Sequence, residues 1–456
     1  MQAARPNFYN LSFDVNGFET EYGYNGKSGW TRNSPDGLRT LIGEESLDVQ
    51  AEAAYRGSLW LNAKQDKSRI VSAGQSQVSG RQVNVVVINS VKGSFVKLYF
   101  DVIAGGLLRE EMGMGNKRSF EYSEFRSIDG RPQPGILSMT IDGEAYRVEL
   151  DNTKTNSQIA RGEFDFSAIV GEPLPDIPAL LLELEANEEK IEKLLDTYSF
   201  KQKSIKRELE KNGVLREIGS ETFQLSFYRG RRIRRLIERN DKPLGENDLR
   251  DAERDAARQV EEIEKTLARE EARLASGLHS EENRRVSTAE VLRASRLVNP
   301  RHERFRGRDV IVFDFEPNPS FDFKRAKSAL KFFGKTAGVI WIDEKDKQVA
   351  RLEAFLVDSY NIGGGALVKL RKGASFTLEQ ERVNGEIWLP SAAEFNLSAR
   401  LFLVRGIDLN QKFRSYDYRK YSTEVKDAKV DTVRTTNCCL FVCKFNADSL
   451  AVSENL

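Results

Sequence analysis

Cysteine and histidine are nearly missing from this sequence of 456 residues. The three cysteines all lie between Cys438 and Cys443, and the two histidines are His279 and His302. Ser-His-Asp and Cys-His catalysis need a histidine beside a nucleophile, and a structural zinc site needs several Cys or His ligands at short spacing. Neither set is available, so we expect a protein that is not an enzyme and has no metal and no cofactor.

The sequence also lacks a net charge and long apolar segments. Lys plus Arg number 70 and Asp plus Glu number 69, a formal net charge of +1, which gives no overall field to gather nucleic acid. No run approaches the ~18 apolar residues of a membrane-spanning helix. We therefore predict no transmembrane segment and no nucleic-acid partner.

The N-terminus, MQAARPNFYN, does not have a charged start followed by an apolar stretch, and strand-like alternation begins at Asn7. We expect a chain without a signal peptide, in which the first domain has lost an N-terminal part.

Residues 7–166 are predicted to form short antiparallel strands. Tight-turn sequences, among them VSG at 78–80, separate runs in which apolar and polar residues alternate. One helix is predicted at about 44–63. The proline-rich segment 168–178 is typical of a linker, so we assign residues 1–167 to a first domain.

A second domain is predicted over residues 179–425. It begins with a helix that ends near Leu195, and strands follow from Tyr198. At 246–275 apolar residues recur every three or four positions in an otherwise charged helix. This narrow stripe packs either on its own domain or on a partner helix, as in a coiled coil, and the spacing leaves both open.

The helical insertion is predicted to continue to 297, including a short helix at about 287–297. Strands are expected to resume at 308 and to continue, with one helix near 321–333, to about residue 425. Alternation then stops, and residues 426–456 are predicted to form a disordered tail.

Two segments share residue types and spacing, YFDVIAGGLLREE at 99–111 and WIDEKDKQVARLE at 341–353. In each, the arginine stands eight positions after the aspartate, which predicts a strand, a turn begun by Asp and a return strand begun by Arg. Downstream, RSIDGRPQP at 126–134 is echoed by RVNGEIWLP at 382–390. The repeated order predicts two tandem copies of one β module.

Through these motifs the chain resembles the LolA/LolB-like superfamily of outer-membrane lipoprotein-sorting proteins, over about 7–166 and 178–425. The resemblance implies an α+β fold with two curved, partly closed antiparallel β half-barrels and covering helices, and with the long charged helix inserted in the second. It also implies a non-catalytic protein of the periplasm or cell envelope. The expected partner is a lipid or lipoprotein, or another envelope protein.

Apolar residues that alternate with polar ones are the candidate ligand-binding surfaces, because alternation places them on one face of a strand. They would line a concave cavity for an acyl chain or apolar peptide. In the second domain and then the first, these residues are Phe395, Leu397, Ala399, Leu401, Leu403, Tyr146, Val148 and Leu150.

A basic run, YRGRRIRRLIER at 228–239, is the remaining candidate contact. Its arginines Arg231, Arg232, Arg234 and Arg235 form either a solvated edge strand or a contact for an anionic lipid headgroup or an acidic partner. The run lacks the interleaved aromatic residues of a single-stranded nucleic-acid platform. The alternative function is a scaffold or interaction protein that uses the 246–275 helix as its partner contact.

Overall fold

The computed structural model describes residues 1–421 apart from several short segments. These segments are 16–17, 34–36, 63–65, 91–92, 115–116, 129, 142, 151–153, 155, 167–175, 211–214, 276–285, 363–367 and 402–404. The predicted tail and most of the predicted linker therefore lie outside the described residues. The chain divides into two compact units, Met1–Val170 with Leu209–Arg216, and Gly171–Glu208 with Glu217–Leu456.

Two antiparallel sheets build the first unit. The five strands of the first sheet, each paired with the next, are β1 (Gln2–Ala4), β2 (Phe8–Val15), β3 (Phe18–Tyr24), β4 (Gly29–Asn33) and β5 (Gly37–Thr40). The second sheet consists of β6 (Arg69–Val78), β7 (Arg81–Asn89), β8 (Phe95–Asp101), β9 (Leu107–Met112), β10 (Arg118–Ser123), β13 (Ile136–Ile141) and β14 (Glu144–Glu149), in that order. A separate two-stranded ladder joins β11 (Arg126–Ile128) to β12 (Arg131–Gln133).

Helix α1 (Gly43–Arg56) lies between the two sheets in sequence, close to the predicted position, and is followed by a 3-10 turn at Leu59–Leu61. Its Val49 and Ala53 are fully buried among aromatic and aliphatic residues of both sheets. Side chains four positions apart share one side of a helix. Glu52 and Arg56, which are also four positions apart, lie beside Val49 and Ala53 and therefore face the same core.

The core beneath α1 also contains charged side chains. Glu52 bonds Arg118 of β10, with 2.7 Å between Oε2 and Nη1, and Arg56 bonds Glu110 of β9 at 2.5 Å. Glu52, Glu110 and Arg118 are almost fully buried. Because water cannot solvate these groups, each depends on its partner for compensation of its charge.

Arg118→Ala is expected to lower the free energy of unfolding by about 3–5 kcal/mol, because Glu52 would remain buried without its cation. Arg147→Ala is the control, since it removes an exposed pair with Glu124 (3.6 Å) and should change stability far less. Urea unfolding followed by circular dichroism measures both variants. Equal losses in the two would contradict the importance of the buried pair.

One antiparallel sheet of thirteen strands forms the second unit. Its strands are β15 (Tyr198–Leu209), β16 (Leu215–Tyr228), β17 (Arg231–Arg239), β18 (Lys242–Pro243), β19 (Ser295–Phe305), β20 (Arg308–Pro317), β21 (Thr336–Asp343), β22 (Val349–Leu356), β23 (Tyr360–Ile362), β24 (Val368–Leu370), β25 (Ser375–Val383), β26 (Ile387–Leu401) and β27 (Arg405–Lys420). The spatial order is β18-β17-β16-β15-β27-β26-β25-β22-β21-β20-β19, with β24 paired to β26 and β23 to β24.

Four helices are described in this unit: α2 (Ile177–Leu195), α3 (Glu246–Ala275), α4 (Thr288–Ala294) and α5 (Ser328–Phe333). The bounds of α2 and α3 match the predicted helices. The helix predicted near 321–333 is shorter, because only its last six residues are helical. No helix in the described part of the chain is both long and apolar enough to cross a membrane.

Strand β19 corrects the prediction that strands resume only at 308. Its first residues were expected to finish the helix predicted at about 287–297. Instead, Arg301 is buried and bonds the equally buried Glu303 (2.8 Å) and Asp314 of β20 (3.1 Å). Because the charges neutralise one another inside the sheet, a buried strand has the composition of an exposed loop.

Helices α2, α4 and α5 cover one side of the thirteen-stranded sheet. Their buried residues, among them Leu184, Leu292 and Phe333, form one core with alternate residues of β20, β21, β22 and β25. Strand accounts for 53% of the described residues and helix for 23%, which confirms an α+β fold of mostly antiparallel sheets. Curvature into half-barrels stays a prediction.

Candidate functional site

We call the helix-covered side of the second unit's sheet the inner face. Residues directly opposite each other on antiparallel strands share a face. By this rule Phe313 of β20, Ile340 of β21 and Leu352 of β22 lie on the inner face. Ala354 continues that face on β22 and stands opposite Phe376 of β25.

The inner face becomes less buried from β25 towards β27. Phe376 is 2% exposed, whereas Phe395, which stands opposite it on β26, is only half-buried. Phe413 of β27 is also half-buried, and its ring contacts that of Phe395 edge-on, with 5.8 Å between centroids. The face is therefore covered at Phe376, whereas Leu378 of β25, Phe395 and Phe413 are covered only in part.

Of the predicted ligand-binding row of the second domain, Phe395 and Leu397 lie on β26 on this face. Leu397 is buried in the helix-covered core, and Phe395 packs against that core. Ala399 and Leu401 belong to β26 and pair with β24, whereas Leu403 lies outside the described residues. Whether this row binds a ligand stays a prediction.

The predicted row of the first domain lies on a different sheet. Tyr146 and Val148 belong to β14, and Leu150 follows it. All three are half-buried against the core of the first unit, where the Tyr146 ring is 5.5 Å from that of Phe13. The two rows thus belong to separate units.

The inner face continues beyond β27 to β15 and β16. Ser204 of β15 stands opposite Phe413, and alternation places Phe200 on the same side as Ser204. The Phe200 ring contacts that of Phe227 on β16, with 6.1 Å between centroids. Leu225 shares the face of Phe227 because the two are two positions apart.

The four arginines of the predicted basic contact lie on β17 and divide between the two faces of the sheet. Arg232 stands opposite Phe227 and Arg234 opposite Leu225, so both lie on the inner face. Arg231 and Arg235 lie on the other face. They pair with carboxylates of helix α3, Arg231 with Glu270 at 2.8 Å and Arg235 more loosely at 3.8 Å with Glu253.

Helix α3 packs along the outer edge of β17. The side-chain amide of Gln259 donates to the carbonyl oxygen of Arg234 (2.8 Å) and accepts from its N–H (2.9 Å). These two bonds replace those that a further strand would make and protect the edge from pairing with another chain. Of the apolar stripe, Val260 is half-buried and Leu249 is 38% exposed.

Arg232 and Arg234 make no ion pair with a carboxylate among the residues that the structure describes. The guanidinium of Arg234 lies 4.1 Å from the centre of the Phe223 ring, and its Nε is buried without a hydrogen-bond partner. Glu221, which acts on Arg234 from β16, is itself paired with Lys206 at 3.6 Å.

The environment of both arginines disfavours their positive charge. Burial lowers the pKa of Arg232, and the neighbouring charge of Arg234 lowers it further. Burial also lowers the pKa of Arg234, an effect that Glu221 partly offsets. Since an arginine keeps its proton at any physiological pH, the pair remains two like charges, both half-buried and, within the described part of the chain, not ion-paired with a carboxylate.

The repeated Asp and Arg motifs serve the turns and the sheet. Tyr99 stands opposite Arg109 and Trp341 opposite Arg351, and a register shift follows at the same point in both pairs. Asp101 accepts two backbone N–H bonds within its turn at 2.8 Å, and an equivalent pair of bonds holds the second turn. These residues therefore hold the turns and set the register of the strands.

Comparison with family models gave no match, and comparison with curated proteins gave none either. The solved structures that the chain is similar to include LolA-superfamily, lipoprotein-sorting and DUF1329 proteins. A LolA superfamily protein from Nitrosomonas europaea is 10% identical, with 36% of this chain and 92% of that chain covered and a TM-score of 0.22. An outer membrane lipoprotein-sorting protein domain from Vibrio parahaemolyticus is 10% identical, with 55% and 96% covered and a TM-score of 0.26. A DUF1329 family protein from Desulfovibrio piger is 12% identical, with 55% and 95% covered and a TM-score of 0.22.

Gln259→Ala is expected to raise the hydrogen-exchange rate of the Arg234 amide, because that amide would then face water instead of a fixed acceptor. Loss of the two bonds should also lower stability by about 1 kcal/mol. Glu261→Ala, an exposed position on the same helix, is the control. Hydrogen-exchange mass spectrometry of peptides from β17 measures the effect. Unchanged protection in Gln259→Ala would show that this side chain does not protect the edge of the sheet.

Proposed function

We propose that this protein is a non-enzymatic cell-envelope protein that binds an acyl chain, a lipoprotein or an apolar peptide on the inner face of its thirteen-stranded sheet. The observation that carries the proposal is the incomplete coverage of that face. Phe395 and Phe413 are half-buried, although they continue a face that is fully buried at Phe376. An apolar ligand would complete the cover that the helices begin.

Burial of the exposed aromatic surface by such a ligand would contribute a substantial part of the binding free energy. Covering ~100 Å² of exposed aromatic surface contributes about 2.5 kcal/mol at ~25 cal/mol per Å². The edge-on contact of Phe395 with Phe413 holds the rings in place, so little conformational entropy would be lost when a ligand binds. The face is therefore suited to a flexible apolar chain, which gains by lying along fixed rings.

The half-barrel curvature, the envelope location and the tandem duplication belong to this proposal through the motif resemblance. The duplication has support from register, because Tyr99 with Arg109 and Trp341 with Arg351 occupy equivalent places in their strand pairs. Each pair also precedes a register shift. A common ancestral module explains two identical irregularities more simply than chance does.

Phe413→Asp is expected to weaken binding of a fluorescent fatty acid by about tenfold or more, because a carboxylate on the inner face would lose hydration when the chain binds. Tyr416→Asp is the matched control. It replaces an aromatic residue of the same strand, and Tyr416 lies on the other face and is 39% exposed. Leu401→Asp extends the test along the predicted row.

Fluorescence titration gives the dissociation constants, and thermal melting shows that each variant is folded. The proposal fails if the wild-type protein binds no acylated probe, or if Phe413→Asp and Tyr416→Asp weaken binding equally.

The alternative, a scaffold that uses α3 as its partner contact, has support in the exposure of Leu249 at the start of the apolar stripe. In that case Leu249→Asp should abolish partner capture and leave fatty-acid binding unchanged. If Leu249→Asp retains both partner capture and fatty-acid binding, this alternative is excluded.

A further inference from the structure

Two neighbouring arginines without carboxylate partners need an explanation in a protein that pairs its other buried cations. Arg232 and Arg234 are two positions apart on β17, so their α-carbons are about 6.8 Å apart on one side of the strand. Arg231 and Arg235, on the same strand, show that carboxylates are within reach of this segment, since Glu270 and Glu253 pair with them. Among the described residues, no carboxylate forms an ion pair with either arginine of the inner-face pair.

The surroundings of the pair are apolar. Leu225 is fully buried and Phe227 nearly so, and the two stand opposite the arginines. The ring of Phe223 supports one flat side of the Arg234 guanidinium, which leaves the N–H groups at its edge free to donate. In such a setting water screens charge poorly, so an anion is attracted more strongly than at an exposed arginine.

Guanidinium groups recognise carboxylate and phosphate oxygens through paired N–H donors. Two of them on one side of a strand can share a single anionic group, and such a group would remove the repulsion between the two cations. The flanking apolar wall favours an anion that carries apolar material over a small hydrated ion, because the wall offers such an ion no hydrogen bonds.

We propose that Arg232 and Arg234 form a binding site for the carboxylate or phosphate group of an amphiphilic ligand on the inner face of β17. That the ligand carries an acyl chain rests on the proposed function, whereas the anion site itself rests on the two arginines and their apolar surroundings. The site separates anionic lipids from neutral ones.

The test compares a fluorescent polyene fatty acid with its methyl ester, which has the same chain and no charge, on the full-length protein. The wild type is expected to bind the acid about tenfold more tightly than the ester, since a charge-assisted bond adds more than ~1.4 kcal/mol. Arg232→Gln/Arg234→Gln should abolish this preference and leave the affinity for the ester unchanged. Arg231→Gln/Arg235→Gln, which has the same composition, should retain it.

Equal binding of acid and ester by the wild type would overturn the anion site and leave the proposed function standing, as would an equal loss of preference in both double variants. If neither probe binds, the proposed function fails, and a short-chain alkyl phosphate then tests the anion site alone. The alkyl phosphate should raise the melting temperature of the wild type and of Arg231→Gln/Arg235→Gln but not of Arg232→Gln/Arg234→Gln. No rise, or a rise in all three proteins, would overturn the site.

Discussion

The apolar inner face of the thirteen-stranded sheet must be covered. Of the described helices, α2, α4 and α5 cover it, but only over part of its width. Apolar residues on one side of an antiparallel sheet are stable only when something removes them from water. The three helices bury Phe313, Ile340 and Phe376 almost completely. They leave Phe395 and Phe413 half-buried. The position of the candidate ligand surface follows from where helical cover ends.

Helix α3 has a different task, which is to close the edge of the sheet. An edge strand exposes backbone groups that can pair with other chains, and Gln259 satisfies those of Arg234. The carboxylates of α3 also neutralise Arg231 and Arg235. The charged composition of α3 is therefore complementary to that of β17. The apolar stripe of α3 can be narrow because the helix packs against an edge of the sheet and not against a face.

Local patterns predicted α2, α3 and most strands, because periodicity and turn residues act over short stretches of sequence. Strand β19 was missed because Arg301 and Glu303 are compensated by each other and by Asp314 on the next strand, which sequence spacing does not reveal. The pairing of Glu52 with Arg118 was also out of reach, since the two come together only through packing of α1 on β10. The separation of Arg232 and Arg234 from Arg231 and Arg235, by contrast, is visible in the alternation of the strand.

Charge compensation distinguishes the structural arginines from the candidate binding ones. Burial lowers the pKa of Arg118 and of Arg351, but carboxylates at 2.7 and 2.6 Å outweigh it and raise both above their usual value. At Arg232 and Arg234 burial prevails and the pKa of each is lowered. An arginine that supports the fold with a carboxylate from its own chain leaves nothing for a ligand to neutralise. Arg232 and Arg234 have no ion-paired carboxylate among the described residues, so an anion from outside would neutralise charge that the described fold leaves in place. The proposed anion site rests on this difference.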